Sequence, residues 1–194
     1  MPRAGLTASD VTRAAAVLAD EEGQANLTMG SLAARLGIRA PSLYKHVESL
    51  ADLRHRVAAL AMTELGDQIT AAIAGRSGRD ALGACLAAVR EYVTAHPGRY
   101  AATIGATFGD QDDALQTASR QVIDAVAAVL RGYGVPDGEM DHAIRAIRAT
   151  VHGFAMLEAA GGFQWSGDPD DTFAWMVAFI DRGLSIDRGL GTVS

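Results

Sequence analysis

Apolar residues recur at helical spacing along most of this chain, and no stretch alternates strictly in the manner of a half-buried strand. Val11, Ala14, Ala15 and Leu18 mark one face of a first helix over about Ser9–Glu22, with Gly23 as its stop. Met29, Leu32, Ala33 and Leu36 stand at i, i+3, i+4 and i+7, the buried face of a short second helix for which Thr28 is a suitable N-cap. Gly37 closes that helix, because glycine accepts the left-handed backbone common at helix ends, and Ile38 beyond it supplies the accompanying apolar contact. Pro41 fits only a first helical turn, so a third helix is expected from Ala40 to about Val47. Leu43 and Val47 face inward there, which leaves Arg39, Ser42, Tyr44, Lys45 and His46 mostly outward.

Ser49 is a plausible cap for a fourth helix carrying Leu53, Val57, Leu60, Ala61 and Leu65 toward Ala74. That is too long for a three-helix head alone. Its first turns would complete the head and its later turns would enter the next domain as a rigid arm, so the expected division is 1–52 and 53–194. Gly75-Arg76-Ser77-Gly78 breaks the pattern. Leu82, Cys85, Leu86, Val89 and Val93 then form the inner stripe of a fifth helix ending at His96-Pro97-Gly98, and a short helix follows over about Gly98–Ile104. Three further helices are expected over about Asp110–Arg131, Gly138–Ala160 and Asp170–Ile186. The fold class is therefore all-α, a three-helix head joined by a long fourth helix to a larger helical domain.

The outward cluster on the third helix is suited to a duplex. Arg39 and Lys45, the latter the only lysine in the chain, can neutralise phosphates or donate to guanine edges. Ser42, Tyr44 and His46 suit phosphate hydrogen bonds and contacts to thymine methyl groups. Two short helices about a glycine turn, the second carrying such a cluster, are the sequence form of a helix-turn-helix. The combination Asp20-Glu21-Glu22-Gly23, Leu27-Thr28-Met29, Leu32-Ala33-Ala34-Arg35-Leu36-Gly37-Ile38 and Leu43-Tyr44-Lys45-His46 resembles the N-terminal domain of the TetR-type transcriptional regulators. The resemblance covers about a quarter of the chain, from Leu6 to about Val57. It implies a ligand-responsive repressor that binds a palindromic double-stranded DNA operator as a homodimer, with Thr28 and the start of the second helix on phosphate. One departure stands out: relatives often carry a phosphate-gripping lysine at the start of the fourth helix, where this chain has Leu50, and the nearest basic side chains are Arg54 and Arg56.

Charge fits that reading once it is divided along the chain. The formal net charge is −6, yet residues 1–56 hold seven Lys and Arg against six Asp and Glu, while residues 57–194 hold ten against seventeen. A mildly positive head on an acidic body favours docking through the head. The N-terminus lacks the basic-then-apolar order of a secretion signal and no apolar run reaches membrane-spanning length, so a cytoplasmic protein is expected. The single cysteine, Cys85, has no partner for an internal disulfide and reads as a small core residue.

The last two long helices carry apolar residues on more than one face. Ile144, Ile147, Val151, Phe154 and Leu157 make one stripe and Ala146, Ala149, Gly153 and Ala160 another, while Phe173, Met176, Val177, Ile180 and Leu184 run beside Trp175, Phe179 and Gly183. One stripe can face its own domain and the other a symmetric partner, so Gly153, Phe154, Leu157, Met176, Phe179 and Ile180 are the candidate dimer residues. Tyr92, Tyr100, Phe108, His152, Met156, Phe163 and Trp165 are the candidates for a pocket taking a small apolar or aromatic effector. Enzyme chemistry finds little support: there is no GxSxG elbow, no phosphate-cradling glycine loop and no pair of histidines at metal-binding spacing, so no cofactor or metal is expected. Glu139, Asp141 and Glu158 read as solvated or dipole-favoured helix residues. The competing reading is a helical ligand-binding or adaptor protein that does not read DNA.

Overall fold

The structure, a computed structural model, describes residues 6–109, 113–164 and 167–186. Among these the elements are α1 (Ala8–Glu22), a 3-10 turn (Gln24–Asn26), α2 (Met29–Leu36), α3 (Ala40–Leu43), α4 (Leu50–Ile73), α5 (Gly78–Ala95), α6 (Pro97–Ala101), α7 (Ala114–Gly132), α8 (Asp137–Ala159) and α9 (Pro169–Ile186), with no strand. No described helix is long and apolar enough to cross a membrane.

Local chemistry accounts for most helix ends. Thr7, two residues before the expected start, caps α1 because the exchange with Asp10 is reciprocal: Thr7 Oγ1 accepts from Asp10 N at 3.1 Å and the Asp10 carboxylate accepts from Thr7 N at 2.9 Å. Thr28 caps α2 as expected, its Oγ1 accepting from Ser31 N at 3.0 Å. Gly37 is left-handed at φ 65°, and the Ile38 N–H reaches back to Ala33 O at 3.1 Å. The third helix is shorter than its periodicity suggests. It ends at Leu43, and the chain continues in tighter i→i−3 bonding, His46 N to Leu43 O at 2.8 Å, before Val47 N returns to Leu43 O at 3.1 Å. Ser49 opens α4, accepting from Asp52 N at 3.0 Å.

The chain forms two compact units. The first gathers residues up to Glu64 together with His96–Ser119; the second gathers Leu65–Ala95 with the chain from Arg120 onward. The expected division at 52/53 falls inside α4, and the head unit also takes in α6 and the start of α7. The reason is packing. Leu53 and Val57 of α4 are fully buried with Val11, Leu18, Leu27, Leu32 and Leu43 in the head core. Helix α6 lies so close to α1 that only glycine fits at position 98. There Arg99 donates its N–H and Nε to the two oxygens of Asp20, at 2.8 and 2.7 Å, and its Nη1 to Glu64 at 2.9 Å. A second tie joins α4 to the start of α7: Asp113 meets His55 Nε2 at 2.7 Å and accepts from the N–H groups of Gly109 at 2.5 Å and Leu115 at 2.8 Å.

In the second unit α5 is the central helix, burying Leu82, Cys85, Leu86, Val89, Tyr92 and Val93 and packing against α8 and α9. Burial pushes the Cys85 thiol up to about 11, which leaves it protonated and inert at neutral pH. Glu158, expected to be solvated, is instead paired: Arg90 Nε donates to it at 2.7 Å and Arg90 Nη2 to its other oxygen. The same guanidinium pairs with Asp170 at 2.6 Å and lies over the rings of Phe173 and Phe154, at 4.7 and 5.4 Å from their centroids. These contacts join α5, α8 and the first turn of α9. The hydroxyl of Tyr133, just past α7, donates to Asp181 of α9 at 2.6 Å.

Candidate nucleic-acid interface

Helices α2 and α3 are presented by the head core. Leu43 and Val47, at 0% and 2% exposure, anchor the reading segment from beneath. Arg39, Tyr44 and Lys45 are exposed, Tyr44 by 57%, while Ser42 and His46 are half-buried beside them. All five outward residues thus lie on one short segment, as their spacing predicts. None of Arg39, Tyr44 and Lys45 has a side-chain hydrogen bond or ion pair among the described residues, so their polar ends remain available. Arg35, by contrast, is held to Glu21 of α1, with Nη2 to Oε1 at 3.1 Å, and that hydrogen bond lowers the Glu21 carboxyl below its ordinary range. Thr28 is committed to its cap, so the free donors at the start of α2 are the backbone N–H groups of Met29 and Gly30. Such a helix start, with its partial positive charge, is suited to a phosphate.

The residues expected to line a ligand pocket divide between the units. Tyr100 is buried and Phe108 is 56% exposed, both within the head unit. Tyr92 is buried in the second unit, where His152, Met156 and Phe163 are half-buried and the Phe163 ring stands 4.9 Å from that of Phe154. Burial, with Arg148 nearby, holds the His152 imidazole below its ordinary pKa. Trp165 lies outside the described residues. A depression of about 200 Å³ in the second unit, lined by Ile73, Arg76, Ala81, Ala128 and Val129 among others, includes none of them.

The candidate dimer residues divide by depth. Phe154 and Met176 turn inward, each 8% exposed, because Phe154 packs on Phe163 and Phe173 in the unit's own core. Leu157 and Phe179 are exposed by 52% and 58%, and Gly153 and Ile180 are half-buried. Trp175, outside the candidate set, is 60% exposed and stacks on Phe179 at 5.3 Å. A Cβ built at Gly153 or at Gly183 would meet nothing within 4 Å.

Sequence reasoning missed the His55–Asp113 tie and the close approach at Gly98. Gly98 follows Pro97, and that pair reads as a helix stop whether or not another backbone approaches it.

An exposed basic and aromatic reading segment behind a glycine turn, on a small helical head with a second helical unit, is the build of a helix-turn-helix transcriptional regulator. The family model described as "Tetracyclin repressor-like, C-terminal domain" matches residues 82–180. The uncharacterized HTH-type transcriptional regulator Rv0681 of Mycobacterium tuberculosis is 34% identical over 181 residues, 93% of this chain and 83% of that protein. Among solved structures, BioQ with its double-stranded DNA operator superposes with a TM-score of 0.68 at 22% identity, covering 93% of this chain and 99% of that one. A TetR variant of Acinetobacter baumannii in complex with minocycline gives 0.72 at 21% identity, covering 95% and 99%. The chain belongs to the TetR family of transcriptional regulators.

Proposed function

We propose that this regulator is a cytoplasmic repressor, a binding protein rather than an enzyme, that occupies a palindromic operator as a homodimer and leaves it when a small, mainly apolar molecule binds. The observation that carries the DNA reading is the exposed trio Arg39, Tyr44 and Lys45 on a segment pinned by Leu43 and Val47. Base edges in the major groove are read by such side chains, while the start of α2, capped by Thr28 and offering the N–H groups of Met29 and Gly30, fixes the register on phosphate. The operator in the BioQ complex supports this reading. The homodimer is supported by exposed apolar side chains on both helices, Leu157 on α8 and the stacked Trp175 and Phe179 on α9, each with a glycine one turn away, Gly153 and Gly183, where a second copy finds room for close helix contact. The minocycline complex of the TetR variant supports a small effector, and the aromatic and methionine side chains Tyr92, Met156 and Phe163 are suited to an apolar one. Release requires that the effector bind the DNA-free state more tightly, and DNA must then weaken effector binding by the same factor.

The test is selection of bound fragments from a random duplex pool. The expected result is an enriched sequence with two-fold symmetry and half-sites about 34–36 Å apart or a multiple of it. A pool with no enriched sequence overturns the proposal and favours an adaptor that does not read DNA.

A further inference from the structure

Acyl groups have one side-chain amine to attach to in this chain, and it lies on the DNA-reading surface. Of the seventeen Lys and Arg residues only Lys45 is a lysine. Every other one carries a guanidinium, which stays charged in proteins and so offers no free electron pair to an acyl carbon. Cys85, the single thiol, is buried, and burial pushes it up to about 11, so it presents no thiolate at neutral pH. Lys45 also differs from the paired cations of its own unit. Arg35 is held by Glu21, Arg56 by Asp52, and Arg99 by Asp20 and Glu64. The Lys45 side chain is exposed and has no hydrogen bond or ion pair among the described residues. Its amine is therefore open to a reagent in solution, with no carboxylate holding it.

Resting on the DNA-reading function above, we propose that Lys45 is an acylation site whose modification switches the reading segment off. The unprotonated Nζ attacks the carbonyl carbon of an activated acyl group, an acyl phosphate or an acyl thioester. A C–N bond forms as the C–O bond to phosphate or the C–S bond to the thiol breaks; the leaving group departs with that electron pair, and the proton on nitrogen passes to solvent. The product is a neutral amide with one N–H donor in place of an ammonium with three. Neutralising a phosphate and donating to a guanine edge are lost together. The backbone keeps position 45 at the surface after modification, because His46 N and Val47 N bond to Leu43 O at 2.8 and 3.1 Å and the Leu43 and Val47 side chains are buried. A bound duplex covers the same amine, so acylation acts on the regulator that is off its operator and keeps it off.

The test treats the full chain with acetyl phosphate and, separately, with acetyl-coenzyme A, which distinguishes the two kinds of donor. Modification of Lys45 is followed by peptide mass mapping, and affinity for the operator selected from the random pool is measured from about 50 to about 200 mM salt. Acetylation at Lys45 by at least one donor is expected, with operator affinity falling roughly tenfold and the slope of log affinity against log salt falling by about one per head. Lys45→Gln should show the slope of the acetylated protein. Lys45→Arg, which keeps the N-terminal amine but has no side-chain amine to acylate, should show no change in its own affinity, whatever its starting value, on exposure to either reagent. Saturating operator should protect Lys45 from both. The proposal is overturned by a Lys45 that neither reagent modifies, by a fully acetylated protein that keeps the untreated affinity and slope, by Lys45→Arg losing affinity on treatment as the wild type does, or by Lys45 reacting as fast on the operator as off it. Untreated wild type that binds no duplex overturns the DNA-reading function itself, and this inference with it.

Discussion

Replacing Gly98 with alanine sets local preference against tertiary packing. Gly98 is the second residue of α6 and does not occupy the left-handed region, so helix propensity alone favours alanine by at most about 1 kcal/mol. Packing predicts the opposite sign. A Cβ at this position would stand 1.8 Å from Ala19 O, 2.1 Å from Ala19 C and 2.5 Å from Asp20 N, all backbone atoms of α1 that no rotamer change can move. Restoring an ordinary contact of 3.4 Å from 1.8 Å requires α6 to retreat by about 1.6 Å. The neighbouring Arg99 hydrogen bonds to Asp20, at 2.8 and 2.7 Å, would then stretch beyond hydrogen-bond reach. Overpacking costs about 1–3 kcal/mol and losing hydrogen bonds to a charged group about 1.5–3, so the net destabilisation, after as much as about 1 kcal/mol of propensity, is about 1.5–5 kcal/mol. For a chain of this size that lowers the melting temperature by about 3–20 °C, measured by circular dichroism at fixed protein concentration. Gly132→Ala is the control, because a Cβ there meets nothing within 4 Å. A Gly98→Ala protein that melts at or above the wild type would refute the argument.

The remaining predictions concern reading, assembly and acid stability. Tyr44→Ala and Lys45→Ala should each weaken operator binding by about 1–3 kcal/mol in a gel-shift titration while leaving the melting temperature unchanged; unaltered affinity in both removes the interface assignment. Phe179→Asp, which places a charge twice in a two-fold contact, should convert the dimer to monomers in sedimentation, and a wild type that already sediments as a monomer ends the dimer proposal. The Gly109 N–H, together with His55 and the Leu115 N–H, holds the Asp113 carboxyl at about 2 rather than 3.8. A lowered native pKa adds stability that is present above 3.8 and is lost as the pH falls from 3.8 toward 2. Asp113→Asn should therefore flatten the loss of stability over that interval in an acid titration followed by circular dichroism, and parallel wild-type and variant curves would contradict the assignment.

What the sequence determines by itself is local. Thr28, Gly37 and Pro41 punctuate the chain through their own backbone chemistry, and the spacing of Leu43 and Val47 is enough to turn Arg39, Tyr44 and Lys45 outward. The number and order of the helices follow from the same rules. The tertiary structure alone decides the pairings between distant residues: Asp20 with Arg99, 79 positions apart, His55 with Asp113, 58 apart, and Arg90 with Glu158, 68 apart. No local pattern marks these, because a half-buried ion pair and two solvated charges look alike in one sequence. The same holds for Phe154 and Leu157, neighbours on apolar stripes of α8: one is buried against Phe163 and Phe173, the other is 52% exposed. Periodicity identifies a face as apolar, but only the helices that pack around it settle whether that face is core or surface.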